Sequence, residues 1–442
     1  MSRTSSTPST PAAEYQPDES FARDLDDCDP LRSYRERFLL PRRPNGEPVI
    51  YFGGNSLGLQ PEAVRAALEQ ELDDWAELGV DAHLKGAIPW YAYHEAFAET
   101  GGRLVGALTG TGQGPGGAEV VMMNSLTVNL HLMMTTFYRP TPDRDRIVME
   151  YPAFPSDLYA VKSHLRSRGL DPASALVQVK PRPGEHTIRS EDLERLLAEQ
   201  GERIALVLLP GVNFFTGQVF DMKRITAAAK RHGCVVGWDL AHAAGNVITE
   251  LHDWDVDFAC WCSYKYLNGG PGAVGGCFVH ERHGRDLDLP RLAGWWGNDP
   301  ETRFKLHLEP DFIPQPGAAG WQISNPPILS MAPLRVSLDL FDEAGMPALR
   351  AKSKLLTGYL RYLIERTADE RIEIITPAAP EAGGCQLSLL VRDDPQSRHQ
   401  ALVAEGVVCD FRQPNVIRVA PVPLYNTFHE VWQFARILTG QI

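Results

Sequence analysis

Lys265 and Asp239 are the two residues of this chain whose types and settings allow chemistry together. Lys265 lies in CWCSYKYLNGG and Asp239 in WDLAHAAGN, each directly after an apolar run. A lysine at the end of a buried strand has to be paired or shifted in pKa. Such an amine can form an imine with an aldehyde. A carboxylate opposite it can hold a pyridine nitrogen protonated, which makes that ring an electron sink. Taken alone, Asp239 reads equally well as a turn or helix-cap residue. Ala241 is small enough to lie flat against a ring, and His242 is placed to bond the ring's 3-oxygen or Asp239. A lone histidine is more often structural.

An anionic group on the same cofactor needs donors. The segment EVVMMNSLTVNLHLMM supplies a strand and then Asn124, Ser125 and Thr127 ahead of an apolar helix. Hydroxyls and free N–H groups at a helix N-terminus suit phosphate, although a simple capped helix explains the same hydroxyls. EYPAFPSD follows another strand and offers Phe154 for stacking, with Ser156 and Asp157 as hydrogen-bonding partners. The glycine run Asn268-Gly269-Gly270-Pro271-Gly272 lets the chain turn closely past Lys265.

The elements that must position these residues read as βα units between about 103 and 280. Apolar, β-rich runs recur at 119–123, 146–150, 205–209, 234–238 and 258–262, with helical patterns at 190–200 and 222–232 between them. Near-continuous apolar strands separated by helices indicate a mostly parallel sheet covered on both faces, with ligands at the strands' carboxyl ends. A strand over 49–52 and a helix over 61–78 precede this region. A single long helix from 331 to about 366 leads into a smaller α+β part. The expected organisation is a disordered Ser/Thr/Pro-rich tail over 1–20, an N-terminal segment over 21–100 serving the small domain and the active site, a large domain over 101–330, and a small C-terminal domain over 331–442.

The bulk numbers exclude several classes. At 442 residues, with 43% hydrophobic and 22% charged residues, the chain is an ordinary globular one of more than one lobe. A formal charge of −13 argues against a nucleic-acid or anionic-membrane surface. Seven scattered cysteines do not form a disulfide framework. Cys260 and Cys262 make a C-x-C pair, but the second pair a zinc site wants is missing, so no metal is expected. Neither a signal-peptide core nor a membrane-length apolar run is present, and a cytoplasmic protein is expected.

The motifs NSLTVNLHL, AFPSD, GWDLAHAAGN, DFACWCSYKYLNGG and QISNPPIL together resemble those of kynureninase, a fold-type I pyridoxal-phosphate family. The likeness runs from YFGGNSLGLQP near residue 51 to VIRVAPVPLYNTF near residue 428. It implies the fold-type I α/β architecture, with pyridoxal 5′-phosphate on Lys265. Leu126, Thr127, Phe154, Ser156, Asp157, Asp239, His242 and Tyr264 are implied at the cofactor, with Tyr264 a candidate proton relay. Trp295 and Asn325 are implied to reach the phosphate of a partner subunit, hence a homodimer with shared active sites. For a small amino-acid substrate, Arg418 is implied at its carboxylate, with Ser56, His83, Ser324 and Asn325 at the rest of it. Pro210 departs from the family pattern, which has Ser or Thr there; proline carries neither a hydroxyl nor an N–H.

The implied reaction is hydrolysis of the Cβ–Cγ bond of L-kynurenine or L-3-hydroxykynurenine to L-alanine and anthranilate or 3-hydroxyanthranilate. His83, Ser324 and Asn325 resemble the 3-hydroxykynurenine-preferring type. The rival enzyme class is cysteine desulfurase or another class V aminotransferase-like enzyme, which would need a mobile nucleophilic cysteine. Cys385 and Cys409 sit instead in apolar, strand-like settings. A non-enzymatic regulator or scaffold would need an attached interaction domain, and the short polar tail offers none.

Overall fold

The computed structural model describes residues 15–110 and 117–440. Its centre is a seven-stranded sheet. In spatial order the strands are Val120–Met122, Gly276–Val279, Phe258–Trp261, Val235–Asp239, Ile204–Pro210, Arg146–Glu150 and Leu176–Val179. Gly276–Val279 runs antiparallel to both neighbours, and every other pairing between Phe258–Trp261 and Leu176–Val179 is parallel. The mostly parallel α/β fold expected from the strand runs is therefore the fold observed.

The strands are apolar on both sides because both sides are covered. Along Ile204–Pro210, Ile204, Val207 and Leu209 join the core on one face, while Ala205, Leu206 and Leu208 join the core on the other. Burying each such large aliphatic side chain contributes about 1.5–3 kcal/mol. Helices Leu126–Phe137, Pro155–Ser167, Ser190–Gln200 and Met222–Arg231 cover the faces between successive strands. Gly276 faces Trp261 across the ladder, and a Cβ there would lie 2.0 Å from the indole, so only glycine lets the two strands pair.

The C-terminal part carries an antiparallel four-stranded sheet in the order Ile372–Ile374, Leu387–Val391, Val416–Val419, Asp410–Arg412. Its core includes Leu356, Tyr359, Leu389, Ile417 and Phe434, and also Ala22, Ile50 and Phe52 from the start of the chain. Ile50–Tyr51 pairs in parallel with Val407–Val408.

Three expectations about elements are corrected. The single helix over 331–366 is two, Ile328–Ala344 and Met346–Glu365, broken at Gly345 with φ +75°. Glycine tolerates that backbone angle, and Pro347 suits the first turn of the helix that follows. The helix expected from Pro61 begins at Val64, because Gln60–Pro61 pairs with Phe38–Leu39. Residues 1–14 of the expected tail lie outside the described residues. From Tyr15 on, however, the chain is anchored: Tyr15 packs on Tyr359 and Tyr362 at 5.5 and 5.7 Å, and a helix begins at Glu19.

Candidate active site

The carboxyl ends of the parallel strands converge on a cleft of about 180 Å³ lined by Leu126, Thr127, Phe154, Asp157, Asp239 and Lys265, among others. Strand Val235–Asp239 delivers Asp239 at its last position, and its neighbour Phe258–Trp261 leads through a short turn to Lys265. Both side chains are buried, at 7% and 9% exposure. Asp239 is fixed by its own turn, where the Ala241 N–H donates to Oδ1 at 2.7 Å. The Asp157 side chain hydrogen-bonds the same carboxylate.

Lys265 Nζ lies 3.1 Å from His242 Nε2 and 5.7 Å from the centre of the Phe154 ring. Burial, then the Lys265 charge, holds His242 well below the usual histidine range. A neutral imidazole accepting from the lysine carries its proton on Nδ1, and that buried nitrogen has no partner. The Tyr264 phenol is pushed up by burial and by neighbouring Cys262, so it stays protonated. Burial, then Asp239, raises the Asp157 carboxyl, and its Oδ1 is also unpartnered.

At the other end of the cleft, helix Leu126–Phe137 points its N-terminus inward with Ser125 as a cap residue whose side chain makes no cap bond. Thr127 Oγ1 and Ser156 Oγ are 3.1 Å apart across two helix starts. Asn124 is turned elsewhere, donating to Asn129 at 2.9 Å, and does not line the cleft. The cleft brings together an aromatic ring (Phe154), a small residue (Ala241), a carboxylate (Asp239), two hydroxyls at helix starts (Thr127 and Ser156) and a buried amine (Lys265), a set that matches the parts of pyridoxal phosphate. The orphaned His242 Nδ1 and Asp157 Oδ1 are polar atoms that such a ligand would satisfy.

Several cleft residues carried no assigned role in the sequence reading: Glu150, Val212 and Phe214. Glu150 is the last residue of its strand, where it reads as part of the apolar run rather than as a group beyond it. Phe214, in GVNFFTG, packs edge-on against Phe154 at 5.3 Å, and its carbonyl accepts from Arg418 NH1 at 2.5 Å. Pro210 lines the wall and offers no donor, as its side chain requires.

Arg418 is 1% exposed and ion-paired with Asp410 at 2.6 Å. It reaches the cleft through Phe214 and is not itself part of the wall. Burial lowers its pKa from the ordinary arginine value. Ser56 is exposed on a turn whose Gly58 N–H donates to the Tyr264 carbonyl at 2.8 Å. The remaining candidates are not brought to the cleft. His83 is half-buried and meets Trp90 edge-on at 5.4 Å; Tyr91 then packs edge-on against Trp296, which meets Trp295 edge-on at 4.7 Å. Ser324 and Asn325 are exposed beside Ile323, whose carbonyl sits against Gly294. His83, Trp295, Ser324 and Asn325 thus line no part of the cleft around Lys265.

A larger groove of about 1000 Å³ lies between the first and last helices, but its charges pair with each other, as in Arg23–Glu19 and Arg35–Glu430. No helix among the described residues is long and apolar enough to cross a membrane.

Residues 349–438 match the family model described as the kynureninase C-terminal domain. A kynureninase of Koribacter versatilis is 54% identical over 96% of this chain and 98% of its own length. One of Myxococcus xanthus is 53% identical over 96% and 98%. Among solved structures, the cysteine desulfurase of Thermococcus onnurineus NA1 superposes with TM-score 0.71 at 17% identity, covering 89% of this chain and 94% of that one. The enzyme C-DES, with glycine covalently linked to its pyridoxal-phosphate cofactor, gives 0.72 at 16% identity over 91% and 98%.

Proposed function

The chain belongs to the kynureninase family, a pyridoxal-phosphate-dependent family of carbon–carbon hydrolases, and from that premise we propose that it cleaves L-3-hydroxykynurenine in preference to L-kynurenine. The reaction adds water across the Cβ–Cγ bond and releases L-alanine with 3-hydroxyanthranilate or anthranilate. The observation that carries this reading is the buried Lys265 amine in one cleft with Asp239 and the Thr127–Ser156 hydroxyl pair.

When bound, pyridoxal phosphate supplies an aldehyde to capture the substrate amine and a ring that withdraws electrons. The residues do the rest. Asp239, oriented by the Ala241 N–H, holds a proton at the ring nitrogen. Thr127, Ser156 and the amides opening helix Leu126–Phe137 take the phosphate. Phe154 and Ala241 would contact the ring. Lys265 would take the α-proton. His242, kept neutral beside it, orients the amine without competing as an ammonium would. Tyr264, kept as a phenol, can pass a proton to the departing carbon. Arg418 offers a guanidinium to the substrate carboxylate.

We place His83, Ser324 and Asn325 at the aryl end of the substrate, contributed in part by a second subunit, since they lie off their own cleft. Exposed Trp295, Leu57, Val128 and Leu329, at 37–46% exposure, are apolar surface that a second copy would cover. Groups that bond an added hydroxyl penalise a substrate lacking it. Seven unpaired cysteines accord with a reducing compartment, and we assign the protein to the cytoplasm. Steady-state kinetics on both substrates test the preference: kcat/KM is expected to be higher for 3-hydroxykynurenine, and an equal or greater value for kynurenine defeats it.

The desulfurase alternative finds no support in the thiols. Burial pushes both Cys385 and Cys409 up to about 12, and no cysteine lines the cleft.

A further inference from the structure

Glu150 has no part in the chemistry just described, yet it stands in the wall of the same cleft. It closes strand Arg146–Glu150, is 3% exposed, and its Oε2 has no hydrogen-bond partner. Its backbone carbonyl is occupied by Gln178 at 3.2 Å, and the flanking strand pairs it with apolar Val179. The titratable groups that share the cleft with it are Asp157, Asp239, His242, Tyr264 and Lys265. Asp157 Oδ1 is unpartnered too. An ionised carboxylate only accepts, whereas a neutral carboxylic acid has one O–H to give. One proton on Glu150 therefore satisfies two buried oxygens that are costly to leave unpaired.

We propose that Glu150 is a positioning residue for the cofactor, a neutral acid that donates from Oε2 to Asp157 Oδ1 through one water. With Asp157 also kept neutral by burial and by the Asp239 charge, Glu150, Asp157 and Asp239 form a carboxyl chain that presents a single negative charge, on Asp239, to the ring nitrogen. The proposal rests on the pyridoxal-phosphate reading of the cleft.

Burial raises the Glu150 carboxyl to about 8, against its own backbone hydrogen bond and helped by the Asp239 charge. The sign follows from an acid whose folded pKa is raised. Glu150 is neutral below about 8 and ionises above it, losing its donor and adding a second negative charge beside Asp239. Between the ordinary glutamate range and about 8 the folded protein binds the extra proton, so this group lowers stability as pH rises through that window.

The holoenzyme, with Glu150→Gln and Glu150→Leu, tests this. Gln keeps a donor that cannot ionise; Leu removes the donor. Wild type is expected to show a transition near pH 8 in cofactor absorbance and in kcat/KM, and Glu150→Gln to lose it while binding cofactor at wild-type affinity by equilibrium dialysis. Glu150→Leu should weaken cofactor binding about tenfold, as for one lost hydrogen bond to a charged group. Relative to wild type, Glu150→Gln should melt higher at pH 8 than at pH 5. A wild-type pH transition retained in Glu150→Gln, unweakened cofactor binding in Glu150→Leu, or a melting difference independent of pH each overturns the proposal. A wild-type protein without cofactor absorbance would instead defeat the reading of the cleft, and the melting comparison would still decide Glu150.

Discussion

Arg418 is held by two partners before any substrate arrives, the Asp410 carboxylate at 2.6 Å and the Phe214 carbonyl at 2.5 Å. Those bonds fix a planar guanidinium of the small sheet against Phe214, which lines the cleft of the large one. Lysine is a single-point donor on a flexible stem and cannot hold both partners and a carboxylate in one plane. Arg418→Lys should therefore lower kcat/KM about 10- to 100-fold, mostly through KM, as one charged hydrogen bond of ~1.5–3 kcal/mol is lost. Cofactor absorbance should be unchanged, which separates this variant from damage to the Lys265 end. A kcat loss at constant KM would mean that Arg418 serves the chemistry and not the carboxylate.

The turn over 53–58 shows what an element contributes. Gly58 donates its N–H to Tyr264, and a Cβ at Gly58 would lie 2.3 Å from Asn268 Oδ1 and 2.4 Å from the Lys265 carbonyl. The first strand region thus clamps the loop that carries the lysine. Gly58→Ala must push that loop aside, at a cost of about 1–3 kcal/mol. The expected result is a lower melting temperature together with weaker cofactor retention, measured by thermal denaturation and dialysis; loss of stability with full cofactor affinity would refute the clamp. Such a contact was illegible in the sequence, because GGNSLG and SYKYLNGG are remote in the chain and each reads only as a flexible turn. The parallel strands were legible, since burial on both faces forces them to be apolar throughout. So were Asp239, Lys265, Phe154 and Asp157, because strand ends are where such a sheet places ligands. Glu150 and Phe214 escaped, one by standing inside its strand and the other by touching its partner only through space. The break at Gly345 escaped because a helical pattern on both sides of one glycine looks continuous.

At the scale of the whole molecule, the reading proposed above divides the site between two subunits. Lys265 and its companions occupy the cleft, while His83, Trp295, Ser324 and Asn325 lie off it and are assigned by that reading to a ledge facing the partner. A two-fold dimer makes the same contact twice, so a ledge that completes the partner's cleft does so reciprocally. This has a consequence that a monomer or a self-contained dimer lacks. Lys265→Ala removes the amine from its own cleft, and Asn325→Ala removes the ledge donor from the partner's. In a mixed dimer of the two, one cleft carries both defects and the other carries neither. Co-expression of the inactive Lys265→Ala chain and the impaired Asn325→Ala chain in equal amounts gives half mixed dimers by chance pairing, each with one whole site. Activity should return to about a quarter of the wild-type value per site. Light scattering would show a dimer mass for each single variant. If the mixed preparation is no more active than its two components, the ledge serves its own subunit, and the assignment of Asn325 to a partner's site is wrong.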